Sequence, residues 1–109
     1  MTELVADTLQ DQANQVAEIL QTLANGRRLF VLCTLQELGE MNVNTLAAAA
    51  KLSQSALSQH LAKLRAEGLV AFRREGQTLW YRIADPRVEE LLATLHRLFC
   101  PAPTPANPA

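Results

Sequence analysis

Between Ser53 and Ile83 the hydrophobic pattern changes period once. "SQSALSQHLAKLRAEG" sets Leu57, Leu61 and Leu64 at helical spacing, whereas "LVAFRREGQTLWYRI" gathers Val, Phe, Trp, Tyr and Ile into two short runs around Glu75, Gly76 and Gln77. Apolar residues three and four apart line one helix face, while short β-branched and aromatic runs around a glycine read as a hairpin. Ser53 is a natural cap for the helix, and Gly68 stops it in the left-handed conformation that helix ends often adopt.

The flanking segments narrow the choice. From about Val5 to Leu23, Leu9, Val16, Leu20 and Leu23, with Ala13 filling the gap, form one helical stripe. Asn25-Gly26 breaks that pattern. A second helix, roughly Arg27 to Leu38, is apolar nearly all round from Leu29 to Leu32, as expected for a buried helix, and Gly39 ends it. "NTLAAAAK" is a short third helix with Asn44 or Thr45 available as its cap. Asp85-Pro86 starts the last helix, which carries Val88, Leu91, Leu92, Leu95, Leu98 and Phe99 on one face and finishes on Cys100. Residues 1–100 therefore read as one mainly α domain with a β-hairpin wing, the layout of a winged helix-turn-helix. Residues 101–109, "PAPTPANPA", hold four of the five prolines and are expected to be a disordered or extended tail.

No apolar stretch approaches the roughly 18 residues needed to span a bilayer. "MTELVADTLQ" lacks the cationic lead and apolar block of a secretory signal, so a cytoplasmic protein is expected. In that compartment a permanent disulfide is disfavoured, which leaves Cys33 and Cys100 as core fillers, metal ligands or redox-responsive thiols. The net charge of −1 argues against a nucleic-acid partner, but its distribution reverses that reading. From Lys51 to Arg82 six basic residues face two acidic ones, while the remainder holds four basic and nine acidic residues. A polyanion would meet a basic face on an acidic body.

In this layout the second helix of the helix-turn-helix enters the major groove. Gln54, Ser55, Ser58 and Gln59 occupy its first turns, where Gln pairs with adenine and Ser reaches bases or phosphate. Lys63 is placed for phosphate, as are Arg73, Arg74 and Gln77 around the hairpin turn. His60 either reaches phosphate or packs beside the turn between the two helices, with packing favoured. The bland alternative, a solvated helix face and a charged turn, does not account for the order of cap, stripe, glycine stop and hairpin. Both terminal helices carry apolar faces that so small a core does not obviously absorb; packing both within one chain is the disfavoured alternative. Pairing them between two chains would give a homodimer that reads an inverted-repeat operator in double-stranded DNA.

"LANGRRLFVLCTL", "LSQSALSQHLAKLRAEGLV" and "RREGQTLWYRI" together resemble the ArsR/SmtB family of bacterial transcriptional repressors, over roughly residues 15–100. The resemblance implies a homodimeric winged helix released from its operator by an inducer. One metal motif of the family reads Glu-Leu-Cys-Val-Cys-Asp-Leu. Here the matching positions run from Glu40 to Leu46, with Asn42 and Asn44 in place of both thiolates. A second motif, counted from Asp85, needs ligands where Arg87, Leu98 and Pro101 stand. No metal or cofactor is expected at either place.

The thiol-sensing branch fits better, because its members resemble this chain in having one cysteine in the second helix and one ending the last. Here those are Cys33 in "VLCTL" and Cys100 in "LFC". The resemblance implies that persulfides or oxidants link Cys33 to Cys100 and release DNA. Alone, Cys33 reads as a small core hydrophobe, and Cys100 as incidental. His96 and Cys100, four apart, leave a metal or haem role open. A small thiol oxidoreductase is disfavoured by the absence of Cys-x-x-Cys and of any βαβ pattern, and an adaptor built on a degenerate winged helix by the polar helix face and basic wing.

Overall fold

The computed structural model describes the backbone of residues 2–99 and the side chains of residues 5–99. Five helices and three strands follow one another: α1 (Thr2–Leu23), α2 (Gly26–Leu38), β1 (Met41–Asn42), α3 (Val43–Ala50), α4 (Gln54–Ala66), β2 (Val70–Glu75), β3 (Thr78–Ile83) and α5 (Pro86–Phe99). The helix-to-hairpin order is the expected one. Cys100 and the tail lie outside the described residues.

Capping side chains set most of the helix starts. Asn25 Oδ1 accepts from the backbone N–H groups of Arg27 and Arg28, and Ser53 Oγ accepts from that of Ala56. Such caps satisfy donors that have no partner within the helix. For α3 the expected cap was wrong. Asn42 supplies it, accepting from Thr45 N at 2.8 Å, so the helix begins before Asn44. Gly68 takes a φ of +78°, the left-handed conformation expected after α4.

The wing is larger than a hairpin. β2 and β3 pair antiparallel from Val70↔Ile83 to Glu75↔Thr78, leaving Gly76 and Gln77 as a two-residue loop. Gly76 has a φ of +65° while Gln77 does not enter the positive region, the pattern of a type II′ turn that matches strand twist. β1 adds to the other edge of β3 through Met41↔Tyr81 and Asn42↔Trp80, so the sheet order is β1-β3-β2.

Leu32, Leu46, Leu57, Leu61, Leu64 and Leu92 are fully buried and join α2–α5 in one core. The inward stripe of α4 is the expected one. Leu61→Ala should lower unfolding free energy by about 2.7–5 kcal/mol, the range for removing a buried leucine side chain. Urea denaturation checks this, and a smaller loss would mean that α4 is less tightly held than its burial indicates.

The outer helices differ. Of the α1 stripe only Leu23 is buried; Leu9, Val16 and Leu20 are at least half exposed. α2 is not covered all round either, since its Phe30 and Leu38 are exposed, as are Leu98 and Phe99 of α5. The radius of gyration, 16.6 Å, exceeds the about 13 Å of a compact chain this long. α1 extends beyond the core it would need to cover.

At the start of α5 the Asp85 carboxylate accepts from Arg87 N, Nε and Nη2. These bonds, side chain first, hold its pKa down at about 2, below the ordinary 3.8. Because the folded pKa is depressed, the stabilisation is fully present above the unfolded value and is lost as pH falls toward about 2. Asp85→Asn, which keeps a cap but not the charge, should melt below the wild type at pH 6 and converge with it near pH 2. A gap independent of pH would exclude the ionic contribution.

Candidate nucleic-acid interface and the cavity beside Cys33

α4 sorts its side chains into two faces. Leu57, Leu61 and Leu64 point into the core, and Gln54, Ser55, Ser58, Gln59 and Lys63 are exposed on the opposite side. Gln54 donates from Nε2 to Asn44 Oδ1 of α3, which ties the two helices of the helix-turn-helix at their polar edge. Lys63 stands 3.9 Å from Glu67, a solvent-screened pair that leaves the ammonium accessible. His60 lies apart from the exposed row. It is half-buried, and desolvation, then the charges of Arg28 and Arg27, push its pKa below the ordinary 6.5.

On the wing, Arg73 is pinned. Its Nε and Nη2 donate to the two carboxylate oxygens of Glu40 at 2.9 Å each, its Nη1 lies 3.5 Å from Glu75, and its guanidinium sits 5.7 Å from the Trp80 ring centre. The hydrogen bond from Arg73 is the first cause holding the Glu40 carboxyl below its ordinary pKa. A bidentate pair of this kind fixes orientation as well as charge. Arg73 therefore staples the wing to the residues before β1, while Arg74 and Gln77 are exposed and carry no ion pair among the described residues. Arg74 is the better placed of the two arginines to meet a phosphate.

A cavity of about 740 Å³ opens between α2 and α5, lined chiefly by Leu29, Phe30, Cys33, Leu95 and Phe99. Cys33 is half-buried and packs against the core on one side of this wall. Phe99, the neighbour of Cys100 in sequence, contributes to the same lining. At the rim His96 Nε2 faces Glu37 Oε2 at 3.6 Å. Among the described residues no three His, Cys, Asp or Glu side chains gather as a metal ion would require. None of the helices described is long and apolar enough to cross a membrane.

Residues 25–71 match the family described as "Bacterial regulatory protein, arsR family". The transcriptional activator HlyU of Vibrio cholerae is 43% identical over 94 residues, which cover 86% of each chain. The chain belongs to the ArsR family. The structure of reduced HlyU superposes with a TM-score of 0.80 at 41% identity, covering 86% of this chain and 98% of that one. The biofilm growth-associated repressor of Agrobacterium fabrum is 38% identical over 98 residues, 90% of this chain and 83% of that one. A homodimeric winged helix-turn-helix DNA-binding domain from Mycobacterium bovis, described as a possible ArsR-family regulator, superposes with a TM-score of 0.72 at 38% identity, covering 84% of each.

As an ArsR-family member the chain is a transcriptional regulator and not an enzyme. Its relatives include both a transcriptional activator and a repressor. Two features of this ArsR protein escaped sequence reasoning: β1 and the Glu40–Arg73 pin. The pin left a faint signal, since Glu40 follows the Gly39 that ends α2 and precedes an extended Met41.

Proposed function

We propose that this protein is a dimeric cytoplasmic repressor that releases an inverted-repeat DNA operator when reactive sulfur species or oxidants link Cys33 to Cys100. The carrying observation is that Cys33 lines an apolar cavity together with Phe99, next in sequence to Cys100. An apolar, partly covered thiol reacts with an electrophilic sulfur that fits the cavity in preference to a bulky charged oxidant. Gln54, Ser55, Ser58, Gln59 and Lys63 on α4 would read the major groove, with Arg74 and Gln77 on the wing meeting the backbone and Arg73 holding the wing in place. His60 would support that surface from its edge.

With a persulfide R–S–SH, the Cys100 thiolate takes the outer sulfur and expels R–SH, and the Cys33 thiolate then displaces H₂S to close a disulfide. Two protein thiols and one R–S–SH thus give the bridge, one R–SH and one H₂S. A second R–S–SH inserts one more sulfur and releases a second R–SH. A direct disulfide needs Cα atoms within about 7 Å, and each inserted sulfur relaxes that limit by on the order of 2 Å. Bridging would fix the end of α5 against α2, shift the two recognition modules and spoil half-site spacing. Release then measures how much more weakly the bridged form binds DNA.

The test pairs intact mass with operator binding on one sample treated with a persulfide. Loss of both thiols, mass steps of ~32 per inserted sulfur and loss of DNA binding are expected to appear together. Full bridging with undiminished DNA affinity would overturn the sensing mechanism.

A further inference from the structure

Two caps decide where two neighbouring helices begin, and with that which side chains meet. Asn42 Oδ1 accepts from Thr45 N at 2.8 Å, so α3 starts at Val43 and Asn44 stands in its first turn, relieved of capping. Ser53 Oγ accepts from Ala56 N at 3.1 Å, so Gln54 is the first residue of α4. Both Asn44 and Gln54 are exposed, and Gln54 Nε2 donates to Asn44 Oδ1 across the turn between the two helices. Among the described residues, Gln54 is the one member of the outward α4 row that a side chain of another helix holds.

The chemistry of the amide decides what this contact does. A glutamine amide has one carbonyl oxygen and two N–H donors. A bidentate contact to adenine uses the oxygen and the N–H on the same side, the oxygen accepting from N6 and the N–H donating to N7. The second N–H is left over, and Asn44 can take it without competing with the base. A free amide turns over and then offers its NH₂ group to the N7 and O6 acceptors of guanine. An acceptor fixed on α3 keeps the nitrogen to that side, so a single order of donor and acceptor faces outward. The tether also removes rotamer freedom before binding, a cost that a free glutamine meets on contact. We infer that Asn44 is a positioning residue for base reading, which sets a preference for adenine through Gln54. This rests on the DNA-binding reading above and adds a specificity determinant on α3, outside the recognition helix.

For the test, the wild-type protein enriches a duplex from a random pool. Each base pair of that duplex is then exchanged in turn, and binding is followed by fluorescence anisotropy at several KCl concentrations. Gln54→Ala identifies the position that Gln54 reads, as the one where a preference for adenine disappears. At that position Asn44→Ala should lower the preference about fivefold, the effect of one neutral hydrogen bond, chiefly by admitting guanine. Preferences at the other positions, and the slope of log affinity against log salt, should match the wild type because no phosphate contact is lost. Asn44 is exposed and alanine is a good helix former, so this variant should fold. Asn44→Asp keeps an acceptor and should keep the adenine preference, although its charge weakens binding to every duplex alike. An Asn44→Ala protein with undiminished adenine preference would exclude the positioning role. A loss spread evenly over all positions would exclude it too, since that marks a contact that only supports the fold. If Gln54→Ala alters no position, Gln54 reads no base, and the inference fails while the DNA reading stands. If the wild type enriches no sequence and binds without salt dependence, the DNA reading fails and takes this inference with it.

Discussion

Cys33→Ser is expected to bind the operator as the wild type does and to stay bound after persulfide treatment. Serine is close in volume to cysteine, and Cys33 is only half-buried at the wall of a cavity, so the fold should tolerate the change. The hydroxyl cannot accept a sulfur, so no bridge can form. The remaining Cys100 can still carry a persulfide, which separates modification from bridging: mass rises, one product remains monothiol, and DNA stays occupied. Anisotropy before and after treatment reads the outcome. Release of the operator from the Ser variant would show that one modified thiol suffices and that Cys33 is a packing residue.

The second large effect concerns the exposed stripe of α1. Val16→Glu should yield a chain of 12.0 kDa in sedimentation where the wild type is expected at twice that mass. Val5, Leu9, Val16 and Leu20 recur on one helical face, each at least half exposed, and Leu98 and Phe99 add to the apolar surface on α5. Contiguous apolar surface of this kind on a small protein marks an interface. A buried glutamate without a partner would disrupt it. Two linked modules gain about 10²–10⁴ in affinity over one, so the monomer should lose at least a hundredfold on the two-half-site operator. It should keep the wild-type melting behaviour of its own core, since Leu57, Leu61 and Leu64 do not touch the substituted face. A Val16→Glu protein that remains dimeric would move the interface elsewhere.

Legibility in the sequence followed the range of the interactions. α4 was readable because its cap, its stripe and its glycine stop are all local: Ser53, Leu57, Leu61, Leu64 and Gly68 act within a few residues of each other. The hairpin was readable for the same reason, with Gly76 at the loop position that demands a positive φ. β1 was not, because two residues carry no period and the strand exists only by pairing with Tyr81 and Trp80. The cap of α3 was missed because Asn42, Asn44 and Thr45 are all competent caps and pairing to β3 decides which one sits outside the helix. Arg73 looked like a loop-tip cation because its partner, Glu40, lies 33 residues away in sequence. For α2, composition suggested full burial, whereas its Phe30 and Leu38 are left open by the single chain. The outward row on α4 was fully legible.

Asn42 is the last residue of β1 and also the cap of α3. One side chain thus joins the edge of the sheet to the first helix of the helix-turn-helix, while the Arg73–Glu40 pair grips the same corner from the other side. The wing is therefore no independent flap. It behaves as a lever arm welded to the reading head, so a torque applied at α5 should swing both through one angle. Distances between wing and reading head within a protomer should stay constant across the switch, and only those between protomers should change.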